Sequence, residues 1–299
     1  MINPVFRRET RTTLRGWKIF AAMVVYTGLL FAAAAITLHF NTNSYTHSFD
    51  PQSVIYLYMV LTAFQNIIVA IIVPSLTAGS ISGERERQTL DLMLLTKMST
   101  LSIVIGKLMS SLLTVLLMIV ASLPVFAIVF YYGGVSLFNL FGMVGFTLLF
   151  AAMVGSISIF FSTITKKTVV STVWTYIVLL AMTLGNLIFT IVSVLLLRDV
   201  FNPYSGSILT RLLLGTNPGV GFFALLDTQY NAGLAASLLS GMQHMFNASS
   251  SSGSILASVA RAFAAMPLWA LTMVIMALIT ILAVFTAAKF IKPVQKKRK

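Results

Sequence analysis

The chain has 299 residues, of which 58% are hydrophobic and only 9% charged, a composition outside the range of soluble globular domains. Twenty Lys and Arg against 7 Asp and Glu give a formal charge of +13, and the absence of cysteine excludes disulfides, thiolate metal sites and a cysteine nucleophile. With a mean hydropathy of +0.95 and no stretch of soluble-domain length free of long apolar runs, one membrane domain over residues 1–299 is expected.

The N-terminal stretch scatters Arg7, Arg8, Arg11, Arg15 and Lys18 around Val5, Phe6, Leu14 and Trp17, with Pro4 placed to begin a helix. It reads as an amphipathic helix lying on the cytoplasmic membrane surface, with a disordered basic tail as the alternative. The apolar run that follows carries no small-residue cleavage site and reads as a retained span.

A spanning helix needs about 20 largely apolar residues to cross about 30 Å of hydrocarbon. Six segments qualify, at about 17–38, 53–76, 108–131, 138–161, 169–197 and 268–288, which predicts an all-α integral membrane protein with six transmembrane helices. The fifth exceeds the required length and is expected to tilt or project. With the N-terminus inside, every basic residue except Arg198, Arg211 and Arg261 falls on the inner face, so both termini are expected in the cytoplasm. The charge is therefore read as a topology signal, with the Lys296 to Lys299 run touching lipid headgroups and not nucleic acid. A multi-pass protein of a cell membrane, of bacterial type, is the expected setting.

His39 and His47 lie near the edges of the outer loop from Asn41 to Gln52, and His244 is isolated. None belongs to a set with metal-ligand spacing, so no metal site is expected. Between the fifth and sixth spans, residues 198–267 hold the apolar runs Ile208 to Leu214, Gly219 to Leu226 and Gly233 to Met242, each too short to cross. Pro203, Gly206, Asn217-Pro218-Gly219 and the polar run Asn247 to Ser254 punctuate them. Short re-entrant or interfacial helices before helix 6 are predicted, with a loop around Ser249 to Gly253.

Apart from Lys18 at the start of the first, the spans contain no Asp, Glu, His, Lys or Arg, which argues against an ion-coupled transporter built on an intramembrane carboxylate. Their polar residues are Thr62, Gln65 and Asn66 in the second span and Thr183 and Asn186 in the fifth. These either line a substrate path or bond helix to helix, beside close packing at Gly155 and Ser156. No Gly-x-Ser-x-Gly, His-Glu-x-x-His or paired intramembrane aspartate is present for hydrolysis. Ile105-Gly106-Lys107-Leu108 resembles the end of a phosphate-binding loop only superficially, since Leu101 replaces its first glycine and Leu108 its hydroxyl residue. No catalytic residues and no bound cofactor are expected on this chain.

The connection after the second span is the most distinctive polar element, running from Gly79 to Thr96. Ser82 is placed to cap a helix, Glu84 and Glu86 follow where the helix dipole favours negative charge, and Leu90, Met93 and Leu94 share a face. An amphipathic helix of this kind suits docking into a groove on a cytoplasmic partner, with a solvated loop as the plainer alternative.

Gly83-Glu84-Arg85-Glu86, Thr89-Leu90, Leu94-Leu95-Thr96, Ser99 and Gly106-Lys107 together resemble the signature of exporter-class ABC transporter permeases of the type-2 family. Many relatives carry proline after the threonine matching Thr96, where this chain has Lys97. The resemblance covers essentially the whole chain and implies a permease subunit that moves an unidentified substrate outward. It further implies separate ABC ATPase subunits that bind ATP and Mg, and a second permease copy or paralogue completing a homo- or heterodimer. The loop would be the coupling helix between helices 2 and 3, with Glu84, Arg85, Glu86, Arg87, Thr89 and Leu90 as its coupling residues. The alternative reading is a membrane scaffold or signalling subunit gated by an ATPase partner without moving cargo.

Overall fold

The structure, a computed structural model, describes residues 17–41, 51–90, 99–133, 135–186, 212–230 and 266–291, with Phe6 and Ile188. The rest of the N-terminal segment, the loop with His47, residues 91–98 with Met93, Leu94 and Thr96, the runs 189–211 and 231–265 with His244, and the basic C-terminal tail lie outside the described residues. Among the described residues all regular structure is helical, and six helices are long and apolar enough to cross a membrane. The protein is a multi-pass membrane protein.

In chain order the helices are α1 (Trp17–Asn41), α2 (Pro51–Thr77), α3 (Gly79–Glu86), α4 (Thr100–Tyr131), α5 (Leu137–Ile164), α6 (Thr168–Leu180), α7 (Pro218–Tyr230) and α8 (Leu268–Phe290). A single π-helical turn, Ala181–Gly185, continues α6. Residues 1–176 with 280–299 form one compact unit and residues 177–279 another.

In the first unit, α2 packs on α1, α4 and α5, while α4 packs on α1 and α5. Large apolar side chains cover the outside of these helices, among them Phe20, Phe31, Ile67, Ile71 and Val120, as expected where the solvent is lipid. The interior is closed by Tyr58, Leu61, Val73, Phe126, Met143, Phe146 and Met153, with Tyr58 and Phe126 edge to face at 6.2 Å. Small residues permit the close approach: a Cβ on Gly155 would stand 3.0 Å from Leu108 Cδ1 and 3.5 Å from Val73 Cγ1.

α4 begins at Thr100, roughly two turns before the apolar stretch that marks it in the sequence. Ser99 starts it, its side chain accepting the Ser102 N–H at 3.3 Å. At 32 residues the helix is about 48 Å long, more than the hydrocarbon requires, and Lys107 sits within its first turns.

The second unit contains the helix that the sequence assigns to the region before helix 6. α7 is 13 residues long, too short to span. Its start is Asn217-Pro218-Gly219, a breaker in the sequence reading and a helix start here. Asn217 Oδ1 accepts the Gly219 N–H at 2.9 Å, and Pro218 occupies the first helical position, where a missing N–H is harmless.

Candidate functional site

The sequence places the start of the charged helix at Ser82, but the structure starts it at Gly79. The chain hardly leaves helical conformation between α2 and α3: Ala78 stays in the α region, and its N–H reaches Pro74 O at 2.8 Å. Ser82 therefore falls inside α3, fully buried, and its hydroxyl donates to Ala78 O at 2.8 Å instead of capping. The cap comes from another helix. Ser162 Oγ on α5 accepts the N–H groups of Ile81 at 3.0 Å and Ser82 at 2.9 Å, and its own hydroxyl donates to Ser82 Oγ at 3.2 Å.

Three consecutive charges then reach three different helices. Glu84 Oε1 accepts a hydrogen bond from Lys107 Nζ of α4 at 2.9 Å, a pair in which the lysine side chain is 3% exposed and the glutamate 25%. Arg85 Nη2 donates to Thr163 O at 2.9 Å and Nη1 to Thr165 O at 3.1 Å. Those carbonyls belong to the last turn and cap of α5, where the helix leaves acceptors free and its dipole favours a cation. Glu86 Oε1 accepts the N–H of Thr168, the first residue of α6, at 2.8 Å, which puts a carboxylate at a helix N-terminus.

α3 ends in a tight reversal. Gln88 takes a φ of 57°, its N–H donating to Arg85 O at 3.1 Å, and the Thr89 N–H donates to Glu84 O at 2.9 Å. This pair of bonds is the Schellman arrangement, in which the left-handed position is usually glycine. The reversal leaves Glu86, Arg87, Gln88 and Thr89 exposed and turns Leu90 inward. Leu90 joins Ile81, Val104, Leu108, Ile159, Val284, Ala287 and Ile291 in a buried apolar cluster that holds α3 against α4, α5 and the last turns of α8.

Of the six residues expected to contact a partner, then, Glu84, Arg85 and Glu86 are engaged within the chain, Leu90 is buried, and Arg87 and Thr89 face outward. Sequence reasoning missed Lys107, Ser162 and Thr168 as their counterparts. Lys107 alone carried a signal, as a cation at the head of an apolar run in a chain with only 7 acidic residues.

The polar residues of the spans separate into two groups. Thr62 donates to Tyr58 O at 2.8 Å and shares that proton with Met59 O at 3.1 Å, Asn66 donates to Thr62 O at 2.9 Å, and Gln65 is buried. In the second unit, Asn186 Nδ2 donates to Leu213 O at 2.6 Å and Thr216 Oγ1 at 2.7 Å. The Thr183 hydroxyl stays within its helix, donating to Leu179 O at 2.9 Å, while its carbonyl accepts from Asn217 Nδ2 at 3.1 Å. A wide π turn displaces backbone carbonyls from their usual partners, and here Asn217 takes one of them.

A family model described as ABC-2 family transporter protein matches residues 3–290. The chain belongs to that family. No curated protein matches it closely enough to add a relative. Membership makes the chain a membrane permease component of an ABC transporter, a transport part and not itself the catalyst. In this ABC-2 permease, the Gly83-Glu84-Arg85-Glu86 segment lies on α3, and Gly106-Lys107 supplies the lysine that pairs with it.

Proposed function

We propose that the chain is the permease subunit of an ATP-driven exporter, dimeric with a second permease, and driven by separate ATPase subunits that dock on α3 from the cytoplasm. The observation that carries this reading is the three-way attachment of α3. Glu84 holds α4 through Lys107, Arg85 holds the end of α5, and Glu86 holds the start of α6. A displacement applied to α3 is delivered at once to three helices, since packed elements transmit strain and do not absorb it. The exposed Arg87, Gln88 and Thr89 stand at its tip, free of that attachment, and are the contact residues for the ATPase. ATP and Mg reside on the partner, and the strongly basic inner connections support cytoplasmic termini in a cell membrane. Cargo passes outward, and the apolar spans favour a hydrophobic or amphipathic substrate.

The test is co-purification of the cognate ATPase subunit with Arg87→Glu/Thr89→Asp permease in lipid nanodiscs, with ATP hydrolysis read in parallel. The reading expects the variant to unfold at the parent temperature yet lose the ATPase subunit or its stimulation. Full retention of both would overturn docking at this tip. ATP-dependent accumulation of cargo in inside-out vesicles separates an exporter from an ATPase-gated scaffold.

A further inference from the structure

Between α2, α4 and α5 lies a cavity of about 10 Å³, lined by Thr62 and Gln65 of α2, Ser122 and Phe126 of α4, and Leu140 and Met143 of α5. That is about the space that one water molecule needs. All three polar lining residues are buried, at 2% exposure for Thr62, 3% for Gln65 and 0% for Ser122.

The two hydroxyls of the lining have their protons engaged elsewhere. The Thr62 proton is spent on Tyr58 O and Met59 O, and the Ser122 proton on Ile119 O at 2.7 Å. Both hydroxyls therefore turn only lone pairs toward the cavity. Gln65 Oε1, a further acceptor, is buried with no hydrogen-bond partner in the protein. An acceptor stranded in hydrocarbon surroundings is costly, so the site calls for a donor. A cation would leave its hydration shell with no carboxylate to offset it, whereas a neutral donor carries no such penalty. Two donors in so small a volume describe water.

We infer that this cavity is a binding site for a single water molecule, which donates to Gln65 Oε1 of α2 and to the hydroxyl oxygen of Ser122 on α4 and so bridges helices that share no direct side-chain bond there. On α1 the buried Tyr26 hydroxyl likewise has no hydrogen-bond partner in the protein.

The test adds one methyl group to the cavity and leaves its hydroxyl in place. Ser122→Thr is compared with the parent, and again in a Gln65→Leu background, by thermal midpoint in nanodiscs. A hydrated site predicts a lower midpoint in the parent, because the methyl expels the water and strands Gln65, and no loss or a gain once Gln65 is gone. A gain in both backgrounds means a dry void, and an equal loss in both means overpacking; either overturns the inference. Should Gln65→Leu fail to fold, a density map fine enough to show ordered solvent decides. A peak within hydrogen-bonding distance of Gln65 Oε1 and the Ser122 hydroxyl supports the site, and a dry cavity or a direct Gln65–Ser122 bond refutes it.

Discussion

Lys107 Nζ lies 2.9 Å from Glu84 Oε1, joining the first turns of α4 to α3 across 22 intervening residues, with the lysine almost wholly out of solvent. A buried pair of this kind is more conspicuous when broken than when absent, because removing one partner leaves the other charge uncompensated. Lys107→Met is expected to cost about 3 kcal/mol, the low end for buried pairs because Glu84 keeps some access to water. The double variant Lys107→Met/Glu84→Gln should recover much of that loss. Unfolding midpoints of both singles and the double in nanodiscs form the cycle, and strict additivity would show that the pair is not coupled.

Arg85 spans two carbonyls with one planar fork, a geometry that an ammonium does not reproduce. Arg85→Lys keeps the charge and should still lose about 1–2 kcal/mol, with faster hydrogen exchange of the amides at the end of α5. Unchanged protection there would remove the fork from the account.

Ser162→Ala removes the oxygen that accepts from both Ile81 and Ser82. Two buried N–H groups then lack a partner, for an expected loss of about 2 kcal/mol, whereas Ser80→Ala, on α3 next to those groups, should change little. The comparison is read by the same midpoints, and equal effects would show that the cap is not special.

In the second unit, a Cβ on Gly221 of α7 would fall 2.6 Å from Thr272 Cβ of α8. Gly221→Ala is expected to cost about 1–3 kcal/mol through overpacking, and Thr272→Ser, which removes the nearest methyl, should partly restore it. Gly83 is a contrasting position on α3, where an added Cβ meets Thr168 Cγ2 at 3.5 Å, an ordinary contact, so Gly83→Ala should be tolerated.

Gln88 holds a left-handed φ of 57°. Gln88→Gly relieves a strain of about 1 kcal/mol, partly offset by the greater freedom of glycine in the unfolded chain, so a neutral to slightly raised midpoint is expected.

The six spans were legible because hydrocarbon imposes a length and a composition that little else in a sequence imitates. The short helix before helix 6 was legible for the converse reason, since the apolar run Gly219 to Leu226 is too short to cross. The start of α4 was hidden because Ser99, Ser102 and Lys107 look polar in isolation, and Lys107 becomes compatible with burial only once Glu84 stands beside it. Ser82 misled for a related reason. A serine before acidic residues is a sound local cap signal, but α2 ran on through Ala78, and the free N–H groups were met by Ser162 from 80 residues away. The partners of Arg85 are backbone carbonyls, which any residue type supplies, so no sequence pattern announces them.

The inward engagement of Glu84, Arg85 and Glu86 has a consequence for how such permeases can be recombined. If the ATPase reads only the outward tip, the segment that fastens the tip to the bundle and the segment that selects the partner are chemically separate. Exchanging Arg87 to Thr89 between two permeases would redirect one of them to a foreign ATPase while leaving its own helices assembled as before.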